Sequence, residues 1–175
     1  MNKLNNIFNQ FITHTFVSRR FFYVWTYIVV IYILSFRFHF LFLVAHFHLL
    51  IMLLLTIIDY ILVQFFENQI QCTRNAPQVL PLGDEQNISL IIKNNYSTLA
   101  YIEIIEELPI EFQKRDFSFR FILHANEERT ITYNVRPLTR GAYQFGNCNI
   151  FVSTILGLIQ HKMVFPLKET IPVYP

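Results

Sequence analysis

One long stretch of this chain has almost no charge: between Phe21 and Phe66 a single basic residue, Arg37, and a single acidic one, Asp59, stand among Phe, Tyr, Ile, Val and Leu. That composition excludes an ordinary solvated segment. Glycine is scarce too, and the four present (Gly83, Gly141, Gly146 and Gly157) fall singly at turns or strand ends. No Gly-rich phosphate loop is there, so nucleotide-binding classes built on one are excluded. The two cysteines, Cys72 and Cys148, lie far apart without Cys-x-x-Cys spacing, which excludes zinc and redox motifs of that type. Residues 1–20 carry Lys3, Arg19 and Arg20 and no acid, while residues 67–175 balance 10 basic against 11 acidic side chains. A near-neutral half of that kind lacks the basic field of a nucleic-acid binder. The apolar run is too long for a signal-peptide core, and no small-x-small cleavage site follows it.

What is present is apolar: 53% of the 175 residues are hydrophobic and 17% aromatic. As helix at ~1.5 Å per residue, Phe21–Phe66 would reach roughly 69 Å, against a hydrocarbon core of ~30 Å. Two crossings fit that length. The polar break Ser35-Phe36-Arg37-Phe38-His39 marks the turn, giving crossings at Phe21 to about Phe36 and about Leu41 to Ile58. Tyr23, Trp25 and Tyr27 suit an interfacial belt at the start. Residues 1–20 read either as an amphipathic interfacial helix, with Leu4, Phe8, Phe11, Ile12 and Phe16 at helical spacing, or as a frayed tail. Three basic residues precede the first crossing and Arg37 alone lies in the turn, so the positive-inside rule puts both termini in the cytoplasm. The two cysteines could form a disulfide only in an oxidising compartment, which this topology disfavours.

From Ala76 the texture changes to short alternating runs. Gln86–Asn94 places Ile88, Leu90 and Ile92 on one face, and Leu99–Leu108 sets Ile102 and Ile104 opposite Glu103. Arg115–Leu123 aligns Phe117, Phe119 and Phe121. Arg129–Arg136 aligns Ile131, Tyr133 and Val135, and Ala142–Ser153 and Lys162–Lys168 complete the set. Gly83-Asp84, Asn94-Asn95, Ala125-Asn126-Glu127 and Arg140-Gly141 mark turns. About seven strands in roughly 100 residues argue an immunoglobulin-like sandwich. The expected architecture is a membrane helical hairpin followed by an all-β immunoglobulin-like sandwich. Its parts are an N-terminal interfacial segment (1–20), a two-helix transmembrane hairpin (21–66), a linker (67–75) and the sandwich (76–175). Tyr143, after Arg140-Gly141-Ala142, is either a tyrosine corner or a plain core tyrosine.

No catalytic, cofactor-binding or metal-binding residue is assigned. His46 and His48 point to nearly opposite helix faces, and His39 lies about two turns from His46, so polar contacts fit the three histidines better than a shared ion. Asp59 reads as a boundary marker whose carboxylate reaches water, ahead of a proton relay. Asp116-Phe117-Ser118 begins like a von Willebrand A metal loop, but Arg120 occupies the second serine position. Ser153, His161 and Asp116 have triad side chains without a nucleophile elbow. Asn87-Ile88-Ser89 and Asn95-Tyr96-Ser97 are glycosylation sequons that a cytoplasmic domain would not present. Glu106-Glu107 and Glu127-Glu128 read as solvated charges.

Several runs together resemble the N-terminal half of a bacterial membrane-protein family known as domain of unknown function 58. They are Arg19-Arg20-Phe21-Phe22-Tyr23, Asp59-Tyr60, Gly83-Asp84-Glu85, Glu107-Leu108-Pro109, the long run from Asn126 through Arg136-Pro137-Leu138-Thr139-Arg140-Gly141-Ala142-Tyr143 to Gly146, Leu156-Gly157-Leu158, and Thr170–Pro175. The resemblance implies two transmembrane helices, a cytoplasmic sandwich, and beyond Pro175 a von Willebrand A-like domain with the metal loop, so the chain is expected to be a truncated member. It also implies association with a MoxR-type AAA+ ATPase, in systems that assemble or insert metals into other proteins. The expected function is a non-enzymatic anchor and interaction scaffold without a cofactor, whose partners are the lipid bilayer and such an ATPase. The alternative is a membrane-anchored adhesin or sensor with an extracytoplasmic sandwich.

Overall fold

A computed structural model of the chain describes residues 14–66, 68–114 and 117–174. These fold as two compact units. The first takes the residues up to Phe65 and returns for Ser153–His161; the second holds Phe66–Val152 and Lys162–Pro175.

In the first unit a short strand, β1 (Thr15–Val17), leads into a helix over Arg19–Ser35, and a second helix runs Phe40–Gln64. Neither helix contains a glycine or proline, so nothing in either interrupts the i to i−4 ladder. The chain breaks between them at Phe36–His39, where the polar residues were expected to turn it. The helices lie against each other, with Tyr32 Oη 3.2 Å from His46 Nδ1 and the Tyr27 and His48 rings 6.1 Å apart. β1 pairs antiparallel with the start of β10 (Ile159–Phe165), in the register Thr15↔His161 to Val17↔Ile159. The expected interfacial helix falls mostly at positions 1–13, outside the described residues, and its last part is this strand.

The expected transmembrane hairpin is corrected. Among the described residues one helix, Phe40–Gln64, is long and apolar enough to cross a membrane. The first has 17 residues, about 26 Å at ~1.5 Å each, and so falls short of a ~30 Å core. The helix break lies where it was expected, and Arg19-Arg20 form the first turn of the shorter helix.

The second unit is all-β. Its central strand β4 (Gln86–Asn94) is flanked antiparallel by β2 (Ile70–Asn75) and β7 (Glu128–Val135). The facing sheet brings the later part of β10 beside β9 (Cys148–Ser153), then β5 (Ala100–Glu106) and β6 (Ser118–Leu123). A third sheet has β11 (Glu169–Tyr174) between β8 (Gly141–Phe145) and the short β3 (Leu80–Pro81). Period-two alternation sends Ile88, Leu90 and Ile92 of β4 and Ala100, Ile102 and Ile104 of β5 into the interior. Tyr133 on β7 stacks edge-on against Phe117, ring centroids 4.9 Å apart, so the two layers interlock as an immunoglobulin-like sandwich. The stretch expected as a linker, 67–75, holds β2: Ile70 and Cys72 alternate inward, a pattern too short to stand out beside the apolar helix. Likewise the single run expected over Ala142–Ser153 is two strands, β8 and β9.

The turns follow the local chemistry. Asn94 is buried, and its side chain closes the bend by donating to the carbonyls of Thr98 and His124, both at 2.9 Å, and accepting from Tyr96 N. Tyr143 is a tyrosine corner: its ring is buried, and its hydroxyl donates to Thr139 O at 3.1 Å while accepting from Thr139 N at 3.4 Å. Tyr143→Phe should therefore lower unfolding free energy by about 0.5–1.5 kcal/mol, read as a shift in the urea midpoint of the sandwich. An unchanged midpoint would reduce the hydroxyl to a bystander of ring packing.

Candidate functional site

The most concentrated polar chemistry in the second unit lies inside the sandwich. Ala100, Ile102, Ile104 and Glu106 share one face of β5, so the strand that buries three apolar side chains carries a carboxylate in with them. On β2 the same alternation turns Arg74 inward after Ile70 and Cys72. The two meet: Arg74 Nε donates to Glu106 Oε1 at 2.7 Å, its Nη2 joins the same oxygen, and the side chains are 2% and 0% exposed. Arg74 spends its remaining donors on Gly146 O at 3.1 Å and on Leu167 O, and its guanidinium lies 5.3 Å from the centre of the Phe145 ring. Tyr133 Oη donates to Glu106 Oε1 at 3.3 Å, whereas Glu106 Oε2 has no hydrogen-bond partner among the described residues. Burial first, and then the charge of Glu106, push the Tyr133 phenol well above its usual range, so it stays a donor.

Beside this network Cys72 on β2 and Cys148 on β9 face each other with Sγ atoms 3.7 Å apart, both buried and both free thiols. The hydrogen bond shared with Cys72, in which Cys148 keeps its proton, followed by burial, pushes the Cys148 thiol far up. The arrangement is an internal cross-link. One ion pair and two thiols join β2 to β5 and β9.

The first unit has its own buried acid. Asp59, one turn from the end of the second helix, is 0% exposed, which corrects the expectation of a carboxylate in water. Its Oδ2 accepts from Leu158 N at 2.7 Å and Ile159 N at 2.9 Å, and Oδ1 accepts from Thr154 Oγ1. Gly157 makes the bend with φ of 62°, and a Cβ there would stand 2.9 Å from Arg20 Nη1. Ser18 N donates to Leu158 O at 2.9 Å, so the loop 154–158 is held from both sides.

Other candidate residues are placed as follows. His46 Nδ1 lies 3.2 Å from both Tyr32 Oη and Phe42 O, and His48 Nδ1 lies 2.9 Å from Val44 O, which are the polar contacts expected of them. His39 precedes the second helix without a capping side-chain bond. Among the described residues no group of three or more His, Cys, Asp or Glu side chains is arranged to hold a metal ion. Ser153 and His161 are buried in the first unit; Asp116 lies outside the described residues. Glu106 is buried, which corrects its expected solvation, whereas Glu107 is exposed as expected. Glu107 accepts from Asn147 N at 2.9 Å and Asn149 Nδ2 at 2.7 Å, fastening the bend between β8 and β9. Glu127 accepts from His124 N at 2.6 Å, and that backbone bond, with Arg129, holds its carboxyl below the usual range.

No family model matches this chain, and no curated protein matches it. Among solved structures, an ASH/PapD-like domain of human CEP192 aligns over 61% of this chain and 85% of its own, at 13% identity and a TM-score of 0.43. The CARDB domain of a Pyrococcus furiosus protein, in complex with di-metal ions, aligns over 60% of this chain and 87% of its own, at 13% identity and a TM-score of 0.37. A β-glucosidase from Listeria innocua in complex with gluconolactone aligns over 61% of this chain and 16% of its own, at 15% identity and a TM-score of 0.34.

Proposed function

We propose that this chain is a non-enzymatic, membrane-attached scaffold, in which the apolar helix Phe40–Gln64 holds a β-sandwich at the cytoplasmic face for contact with other proteins. The observation that carries this reading is the exposure of that helix: only 11% of its most apolar stretch is buried. A core helix of a water-soluble domain would hide such a surface, whereas here Phe42, Leu43, Phe47, Leu50, Leu53 and Leu54 face outward. The chain should pellet with membranes and resist alkaline carbonate extraction. Release into the supernatant would sink the reading.

The cytoplasmic side is supported by a contact that an odd number of crossings between β1 and residues 159–161 would forbid. β1, immediately before Arg19-Arg20, pairs with residues 159–161, so the basic N-terminal stretch and the segment leading back into the sandwich share one side. Positive-inside bias then favours the cytoplasm. Because Cys72 and Cys148 are buried, the reporter belongs elsewhere; Leu138, 72% exposed, is a suitable position. Leu138→Cys should react with an impermeant maleimide only after the cells are permeabilised. Labelling of intact cells would put the sandwich outside and favour an adhesin or sensor.

The non-enzymatic part rests on how the acids are used: Glu106 is paired with Arg74, and Asp59 is bonded by three donors of its own unit. The likeness to the domain of unknown function 58 family supplies the candidate partner, a MoxR-type AAA+ ATPase. Co-purification of such an ATPase from crosslinked membranes, lost when the sandwich is deleted, tests it.

A further inference from the structure

We propose that Cys72 and Cys148 form a site for reversible oxidation to an intersheet disulfide, taking a small-molecule disulfide of the glutathione type as its oxidant. The two Sγ atoms are 3.7 Å apart, β2 and β9 belong to facing sheets, and both backbones are fixed by their ladders. A disulfide needs ~2.05 Å between sulfurs, so closure asks for side-chain rotation and a small approach of the strands. The partners are 76 positions apart in sequence, so the bond would close a long loop and restrict the unfolded chain strongly.

The chemistry balances by thiol–disulfide exchange. One cysteine, as thiolate, attacks the oxidant and forms a mixed disulfide, releasing one glutathione thiolate. The second cysteine gives up its proton and attacks the protein sulfur of that mixed disulfide, releasing the other. Two protein thiols are oxidised, one glutathione disulfide is reduced to two thiols, and the two protons pass to them. Burial and the raised Cys148 thiol make the closed sandwich a poor nucleophile, so exchange takes place when the domain folds or transiently opens. Once made, the bond is shielded by the same burial. This site is independent of what the sandwich binds; the side of the membrane it faces sets how much of the oxidant it meets.

The test uses the full chain in detergent, unfolded in urea and refolded in glutathione buffers of rising oxidised fraction, then denatured, alkylated and weighed. The expected product has lost two hydrogens, takes up no alkylating reagent, and unfolds at least ~5 °C higher than its reduced form. Cys72→Ala and Cys148→Ala should each show neither the mass change nor the oxidant-dependent shift in unfolding. Two alkylated thiols at every ratio, or glutathione adducts on both cysteines without the internal bond, would overturn the proposal. A chain that fails to refold is oxidised instead as the native protein in prolonged incubation, with the same mass criteria deciding.

Discussion

Arg74→Leu should destabilise the sandwich by about 3–5 kcal/mol, the cost of leaving a carboxylate buried without its counter-charge. For a domain of this size that corresponds to roughly 15–30 °C in the melting temperature. The reason lies in what Glu106 is left with. Its Oε1 loses both guanidinium contacts and keeps only Tyr133 Oη at 3.3 Å, and its Oε2 already has no hydrogen-bond partner among the described residues. Gly146 O and Leu167 O lose their donor in the same step. Arg74→Lys should recover only part of the loss, because a single ammonium cannot reach acceptors that the planar fork reaches in separate directions. Removing both charges should be far milder: Arg74→Met with Glu106→Leu is expected within about 1–2 kcal/mol of the parent, since desolvation offsets most of the Coulomb attraction of a buried pair. Chemical denaturation of the parent and these three variants, followed by tyrosine fluorescence, measures each loss. If Arg74→Leu alone costs under 1 kcal/mol, Glu106 must reach water and the interior network is misplaced.

The apolar faces were legible because β geometry is local. Ile88-x-Leu90-x-Ile92 fixes both the strand and its inward side, and the structure buries all three. The Asn94, Asn126 and Tyr143 positions were legible for the same reason: turn chemistry is written in one or two residues, and Asn126 takes φ of 58° as such a turn demands. The polar interior was not read, although the signal was there. Glu106 continues the parity of Ala100, Ile102 and Ile104, and Arg74 continues that of Ile70 and Cys72, so strand alternation alone turns both charges inward. What no local pattern could supply was the pairing across sheets, because Arg74 and Glu106 are 32 positions apart and Cys72 and Cys148 are 76 apart. The same limit applies to Asp59, whose partners lie 95 to 100 positions away.

Asp59→Ala should loosen the first unit at one place, the loop between β9 and β10. The carboxylate gathers two backbone amides and a hydroxyl, and Thr154 Oγ1 in turn accepts from Leu156 N at 3.1 Å, so the acid organises the loop it never belonged to in sequence. Hydrogen bonds to a charged group contribute roughly 1.5–3 kcal/mol each. Losing the shared acceptor should therefore free the loop by about 3–5 kcal/mol, since the orphaned amides regain some hydration as it opens. That corresponds to amide exchange at Leu158 and Ile159 faster by roughly two to four orders of magnitude, while exchange in β4 stays as in the parent. Asp59→Asn keeps one acceptor oxygen but turns an NH2 toward a donor, so it should fall between the two. Thr154→Val removes a single donor and leaves both amide contacts, and should cost about 1 kcal/mol. A structural clamp predicts this graded series at 158 and 159. A helix-boundary residue in contact with water predicts no change at either amide, and unaltered exchange there in Asp59→Ala would return Asp59 to that simpler role.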